Sequence, residues 1–151
     1  MSDAYSGYLS VNEEKDLFYI FIESENDPTT DPILVEQQGG PGASSLTSFM
    51  MGLNGPLLFI PFSQSIMYNP YAWNKNASIL YIESPAGVGF SPYRVTPEKR
   101  VYNDMIQSED SYAALKSWYK KFPEYAPSGY NNSLFIIGMS YSGIFTPHLS
   151  W

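Results

Sequence analysis

The chain alternates short apolar runs with polar, Pro-rich or Gly-rich segments, a pattern typical of buried strands joined by loops. In the first two runs, aromatic and aliphatic residues alternate with small or polar ones, and a polar turn at 12–15 predicts that these runs form a hairpin. Two Asp-Pro pairs mark residues 26–32 as a loop. The predicted strands cover residues 5–11, 17–23, 33–37, 78–83 and 133–138.

Helical spacing of apolar residues replaces this pattern from about residue 98 to residue 122, and Pro123 marks the end of the predicted helix. We expect Asp104 and Asp110 to be solvated charges on its polar face. A hairpin, then short apolar strands and a helical crossover, predicts an α/β fold whose sheet is mainly parallel after its first strands. Sites in such sheets lie at the strand ends, so the Gly-rich segments that follow two strands should share one rim.

Composition narrows the functional classes. The chain has 151 residues, 44% of them apolar, enough for one domain with a core. It carries a net charge of −7 without a basic cluster, so no nucleic-acid partner is expected. No apolar run has the length of a membrane span, no His and carboxylate spacing suggests a metal, and the lack of Cys excludes Cys-based metal sites. Two sequons, at Asn76 and Asn131, fit a secretory chain.

The segment GMSYSG at 138–143 follows the last predicted strand. A serine hydroxyl becomes a nucleophile when a base takes its proton and a sharp turn exposes its oxygen. Gly138 and Ser142 lie two residues before and after Ser140 and are small, as a strand-to-helix elbow requires. An ordinary strand–helix turn has the same short pattern, so this segment alone leaves both interpretations open.

The segment QGGPGASS at 38–45 follows an earlier predicted strand. Glycines allow close approach to a substrate and present backbone N–H groups that can stabilise an oxyanion. A phosphate-binding loop would need a following Gly-Lys-Ser/Thr or a G-x-G-x-x-G pattern, and neither is present. Taken alone the segment also fits a simple Pro/Gly turn, but a glycine loop followed later by a serine elbow is the α/β-hydrolase order.

Six segments in order carry a family resemblance. They are YSGYL at 5–9, GGPG at 39–42, NPYAWN at 69–74, ESPAGVGFS at 83–91, FPEY at 122–125 and SYSG at 140–143. With them the chain resembles the serine carboxypeptidase family, of α/β-hydrolase fold, over nearly its whole length. The resemblance implies that Ser140 is the nucleophile and that the N–H groups of Gly40 and Tyr141 form the oxyanion hole. It also implies that Gln38 and the N–H of Gly39 bind the substrate's terminal carboxylate, while a downstream His and Asp complete the triad.

The same resemblance implies an exopeptidase that needs no cofactor or metal and releases residues from peptide or protein C-termini. It also implies a lysosomal, vacuolar or secreted location. We expect residues 1–151 to be the N-terminal portion of one incomplete α/β-hydrolase domain, without the triad Asp and His and inactive without its missing C-terminal half. Two alternatives stay open: a carboxypeptidase-like acyltransferase, and a non-catalytic pseudoenzyme or truncated product.

The chain departs from the family pattern at several positions. The family's Asn in the glycine loop is Gln38 here, the acid before the nucleophile is Met139, the Trp before the loop is Glu36, and a Cys is Ala43. Residues 48–55 lack the family's acidic residue before Gly-Pro and are one residue longer. The single histidine, His148, lies only eight residues after Ser140 and does not match the triad position, so we expect a structural role for it.

Overall fold

The computed structural model describes residues 2–60 and 62–150. Within them the strands are β1 (Ala4–Ser10), β2 (Asp16–Ile22), β3 (Ile33–Gln37), β4 (Leu57–Ile60), β5 (Ser65–Tyr68), β6 (Ser78–Ile82) and β7 (Leu134–Gly138). The helices are α1 (Leu46–Met50), α2 (Asp104–Lys121) and α3 (Ser142–Ser150), with single 3-10 turns at Trp73–Lys75, Pro97–Lys99 and Pro123–Tyr125. The five strands predicted from the sequence are all present, with ends that differ by at most one residue.

Five strands form one sheet in the order β1-β2-β6-β3-β7. The first three pair antiparallel to one another, whereas β3 pairs parallel with both β6 and β7. The predicted α/β fold, a hairpin followed by mainly parallel strands with a long crossover helix, is therefore confirmed. In the part of the chain that is described, β7 is the last strand in the order and pairs only with β3.

The main core lies between this sheet and α2. Phe21 on β2 and Trp118 on α2 are both fully buried, and their ring centroids are 5.0 Å apart in an edge-to-face arrangement. Val35 and Leu80 from the parallel strands complete the same layer. Burial of large apolar side chains contributes about 1.5–3 kcal/mol each, so this layer fixes α2 across the sheet.

The opposite face of the sheet carries a smaller cluster formed by Ile22, Ile79 and Tyr81. Phe49 of α1 packs on Tyr81 with ring centroids 5.6 Å apart. The short helix α1 and the β4–β5 hairpin, which pairs antiparallel, were not predicted from the sequence. Their segments of four or five residues are too short to show a clear period.

Two details of the helix prediction are wrong. The predicted start near residue 98 is instead a 3-10 turn, and α2 begins at Asp104, where the side chain of Asn103 accepts a hydrogen bond from the N–H of Ile106 and caps the helix. Asp110 is not a solvated charge. It is buried and pairs with Lys15 at 2.7 Å, because the hairpin brings Lys15 against α2.

None of the helices within the described ranges is both long enough and apolar enough to cross a membrane.

Candidate active site

Ser140 lies at a sharp turn between β7 and α3 and is exposed to solvent. Its φ is +61°, in the left-handed region that residues other than glycine seldom adopt and that costs on the order of 1–3 kcal/mol. The turn forms because Gly138 leaves room for it: a Cβ there would lie 2.8 Å from the Cβ of Ser142 and 3.0 Å from Oγ1 of Thr146. The turn thus holds the serine outward at the strand end.

Hydrogen bonds fix both sides of this turn. The buried Ser142 donates from Oγ to the carbonyl of Met139 at 2.8 Å, and the N–H of Gly143 donates to the carbonyl of Ser140 at 3.0 Å. The first turn of α3 therefore starts directly behind Ser140. The geometry is that of a strand-to-helix elbow, and the role of Ser140 as a nucleophile stays a prediction.

The glycine-rich segment lies beside this elbow because β3 and β7 are parallel neighbours in register, with Gln37 opposite Gly138. A Cβ on Gly39 would lie 2.5 Å from the carbonyl oxygen of Met139 and 2.9 Å from the Cβ of Ser140. The two backbones are therefore in contact, and only glycine fits at this position. The structure brings together the two segments that the sequence placed at one rim.

Gly40 and Tyr141 are the residues that the family resemblance assigns to the oxyanion hole. Gly40 has a φ of +117°, which favours glycine, and it is exposed. No acceptor for the backbone N–H of either residue is found among residues 2–60 and 62–150. Both N–H groups can therefore still donate a hydrogen bond, and their assignment to the oxyanion hole stays a prediction.

A second loop, residues 83–91, supports the glycine loop through the fully buried Glu83. One carboxylate oxygen accepts from Oγ of Ser44, and the other accepts from the N–H of Phe90 at 2.7 Å. Oγ of Ser91 donates to the Glu83 carbonyl at 2.6 Å. The sequence analysis assigned no role to Glu83, although its place at the end of the apolar strand β6 marked it as a residue at the same rim.

Gln38 and Gly39 bond to each other in this structure. The N–H of Gly39 donates to Oε1 of Gln38 at 3.0 Å, and Nε2 of Gln38 donates to Oγ of Ser48 at 2.9 Å. Ser48 in turn donates to Oε1 of Glu36 at 2.7 Å. Their assignment to the substrate carboxylate stays a prediction, and binding by the N–H of Gly39 would require its hydrogen bond to Gln38 to be exchanged.

Glu36 ends this hydrogen-bonded chain, and the sequence analysis noted it only as a departure from the family pattern. It is 3% exposed, and burial raises the pKa of its carboxyl from 4.5 to about 7, against the opposing effect of the Ser48 hydrogen bond. The signal available in the sequence was an acidic residue inside an apolar run predicted to be a buried strand.

His148 lies on α3 and is exposed. It lines a cavity with Met105, Glu109 and Tyr112 of α2, which is not the surface where the glycine loop meets the elbow.

The hydroxyl of Tyr141 contacts the carboxylate of Asp104 at 3.3 Å, which ties the elbow to the start of α2. No group of three or more potential metal ligands occurs in the described part of the chain.

The mixed sheet, the serine elbow and the adjacent glycine loop define an α/β-hydrolase fold. The chain belongs to the serine carboxypeptidase family, whose sequence profile matches residues 1–151. It is 46% identical over 147 residues to the lysosomal protective protein of Mus musculus, covering 97% of this chain and 29% of that protein. It is 44% identical over 144 residues to carboxypeptidase Y homolog A of Pyrenophora tritici-repentis, covering 95% of this chain and 25% of that protein.

A solved structure shows the same fold. The chain superposes with a TM-score of 0.81 and 20% identity on KEX1(delta)p, a prohormone-processing carboxypeptidase from Saccharomyces cerevisiae, over 99% of this chain and 33% of that one. The chain spans about a quarter to a third of the length of these relatives.

Proposed function

We propose that the full-length protein is a serine carboxypeptidase and that Ser140 is its nucleophile. The observation that supports the proposal is the backbone contact of Gly39 with the elbow beside an exposed serine, together with the lack of an acceptor for the N–H groups of Gly40 and Tyr141 among the described residues. In this reaction Oγ of Ser140 attacks the scissile carbonyl carbon. The oxyanion that forms accepts hydrogen bonds from the N–H groups of Gly40 and Tyr141.

The proton of Ser140 needs an acceptor that these residues do not supply. The only histidine, His148, faces α2 rather than the glycine loop. We therefore assign the base and its orienting carboxylate to a further part of the same protein, in keeping with the share of the relatives' length that this chain covers. Residues 1–151 then form the N-terminal portion of one incomplete domain, and water cleaves the acyl-Ser140 intermediate in the complete one.

The substrate in this proposal is a peptide or protein C-terminus, whose carboxylate binds near Gln38 and Gly39. Similarity to a lysosomal protective protein and to a carboxypeptidase Y homolog supports the substrate class and a lysosomal, vacuolar or secreted location. The sequons agree with that location, because Asn76 and Asn131 are both exposed. Endoglycosidase treatment of the native protein should increase its mobility on a gel, and an unchanged mobility would argue against a secretory route.

The test of the catalytic assignment uses the full-length protein and a fluorophosphonate probe. We expect Ser140→Ala to abolish labelling and to reduce hydrolysis of a blocked dipeptide by at least about 10³-fold. Ser150→Ala is the matched control, because Ser150 is an exposed serine at the end of α3. Equal labelling of both variants would refute the assignment, and transfer of the acyl group to an added alcohol in preference to water would favour the acyltransferase.

A further inference from the structure

A cavity of about 380 Å³, here called the α2 cavity, lies between the glycine loop, the loop that follows β6 and the start of α2. Its walls are mainly apolar and include Pro41, Ala86, Val88, Tyr93, Tyr102 and Ile106. Its volume and its apolar walls are those of a ligand-binding pocket.

Three buried polar side chains interrupt the apolar wall: Lys15, Gln107 and Asp110. Gln107 and Asp110 are three residues apart on α2, so they lie on one face of the helix. Lys15 pairs with Asp110 at 2.7 Å, and the two charges of this pair compensate each other. This polar group of residues therefore favours a neutral polar ligand over an ion that would bring an unpaired charge.

Gln107 is the member of this group that lacks a partner. Its residue is 5% exposed, and its side-chain amide makes no hydrogen bond to any of the described residues. The amide atoms of Gln37 are completely buried, whereas those of Gln107 are not, so the small accessible part of Gln107 includes its amide. A nearly buried amide without a partner costs free energy, which a ligand with a matching donor and acceptor recovers.

The chemistry of the Gln107 side chain selects the ligand group. Oε1 accepts a hydrogen bond and Nε2 donates one. An ammonium group can bond only to Oε1, and a carboxylate can bond only to Nε2. A peptide group has one N–H and one C=O, so it can bond to both atoms of the Gln107 amide at once.

The α2 cavity begins next to both N–H groups that are assigned to the oxyanion. Pro41 in its wall directly follows Gly40, and Asp104 in its wall contacts the hydroxyl of Tyr141 at 3.3 Å. Gln107 lies a further three residues along α2, about 4.5 Å along the helix axis. An extended peptide advances about 3.3–3.6 Å per residue, so a peptide group that reaches Gln107 is at least two residues from the scissile carbonyl.

The order of residues in the glycine loop gives the direction of the substrate. Gln38 and Gly39, which are assigned to the terminal carboxylate, precede Gly40, whereas the wall of the α2 cavity begins after it at Pro41. Gly40, Pro41 and Gly42 are all exposed, so the surface is continuous from the oxyanion donor to the cavity. A substrate held at Gly40 therefore has its upstream residues on the side of the α2 cavity.

We propose that the α2 cavity binds an upstream peptide group of the substrate through the side-chain amide of Gln107, while its apolar walls hold the neighbouring side chains. The inference rests on the proposed function, which supplies the peptide substrate. It makes Gln107 a residue that determines specificity for the length of the substrate, with longer peptides favoured over dipeptides.

The experiment measures binding to the full-length protein with the Ser140→Ala substitution, which prevents turnover. Its ligands are a blocked dipeptide and a blocked tetrapeptide that extends it upstream by two apolar residues, and calorimetry gives Kd for each. We expect the tetrapeptide to bind at least about tenfold more tightly. Methylation of one of its added peptide nitrogens should reduce this gain at least about fivefold, because it removes the N–H that Oε1 of Gln107 accepts.

Two substitutions in the same protein separate the role of Gln107 from a general effect on α2. Gln107→Met keeps an unbranched side chain of similar length and removes the amide, so we expect the gain from the tetrapeptide to fall at least about fivefold. Methylation of the peptide nitrogen should then change the affinity by less than about twofold. Glu109→Met is the matched control, because Glu109 is on the same helix but lines the cavity with His148.

Equal affinity of the two peptides would overturn the inference and indicate that another part of the full-length protein fills the α2 cavity. A gain that Gln107→Met and Glu109→Met reduce equally would overturn it as well. So would a gain that no methylated nitrogen reduces, a result that does not depend on the folding of any variant at Gln107.

Labelling of Ser140 by a fluorophosphonate in the protein that retains this serine is scored separately. Binding that depends on peptide length and on Gln107, without labelling of Ser140, would reject the peptidase function alone. Labelling and hydrolysis without a gain that depends on Gln107 would reject this inference alone.

Discussion

A Cβ atom on Gly39 would lie 2.6 Å from the backbone nitrogen of Tyr141. The glycine loop and the serine elbow are thus in contact at their backbones. We expect Gly39→Ala to separate them, at a cost of about 1–3 kcal/mol in the free energy of unfolding. It should also reduce the rate of Ser140 labelling by about 10²-fold, because the N–H groups beside the loop lose their alignment.

Gly7→Ala is the control for this substitution. A Cβ on Gly7 would lie 3.4 Å from the ring of Tyr19, an ordinary contact, and Gly7 is on β1 at the far end of the sheet. In the full-length protein, labelling rates measure the effect on Ser140, and denaturant unfolding measures the change in the free energy of unfolding. A Gly39→Ala variant that labels as fast as Gly7→Ala would show that the contact does not position the donors.

The meeting of these two segments could be predicted from sequence because it depends on local signals. The runs at 33–37 and 133–138 are short and apolar, each is followed by glycine, and parallel strands end at the same rim. The serine elbow likewise needs only small residues at fixed offsets from Ser140. These features follow from backbone sterics within a few residues.

Contacts between distant parts of the chain could not be predicted in this way. Lys15 and Asp110 are 95 residues apart, and helical periodicity alone places Asp110 among solvated charges. Glu36 was noted only as a departure from the family pattern, because its burial depends on α1 and on the cavity beside β7. The burial of Asp110 and the burial of Glu36 both depend on tertiary packing, which overrides the preference of a charged side chain for water.

Lys15 and Asp110 form a buried ion pair. Removal of one partner alone should strongly destabilise the fold. Both side chains are 9% exposed, and burial raises the pKa of Asp110 while the hydrogen bond and charge of Lys15 oppose this. We expect Lys15→Met to lower the free energy of unfolding by about 3–5 kcal/mol, because an unpaired carboxylate stays buried. Denaturant unfolding of the full-length protein measures the change.

The double substitution Lys15→Met and Asp110→Leu should regain most of this loss, since it removes both charges and keeps the volume. The matched control is Arg94→Ala, which breaks a pair with Asp16 in which the Arg94 side chain is 48% exposed. It should cost at most about 1 kcal/mol. A double variant no more stable than Lys15→Met would contradict the role of the uncompensated charge.

Glu83 holds the glycine loop against the loop that follows β6, so its acceptor atoms should matter more than its charge. Glu83→Ala removes the acceptors for Ser44 and Phe90 and leaves a cavity, and we expect a loss of about 2–5 kcal/mol. Glu83→Gln keeps one acceptor for Phe90, and its amide can donate to Ser44, so it should cost less than about 1.5 kcal/mol. Equal losses from the two variants in denaturant unfolding would show that the charge itself is required.

The raised pKa of Glu36 makes the stability of the fold depend on pH. The pKa rises from 4.5 in the unfolded chain to about 7 in the folded protein, mainly by burial, so the folded state binds the proton more tightly. The contribution of Glu36 to stability therefore decreases as the pH rises from about 4.5 to about 7 and is constant on either side of this window. The shift corresponds to a decrease on the order of 3 kcal/mol.

Glu36→Gln removes this titration and leaves the other groups in place. The difference in unfolding free energy between the wild type and Glu36→Gln, measured in denaturant at about pH 4.5 and about pH 8, isolates the contribution of Glu36. We expect the wild type to lose stability relative to the variant at the higher pH. If the two proteins keep the same difference at both pH values, Glu36 has an ordinary pKa, and its carboxyl is ionised and solvated rather than buried as a proton donor.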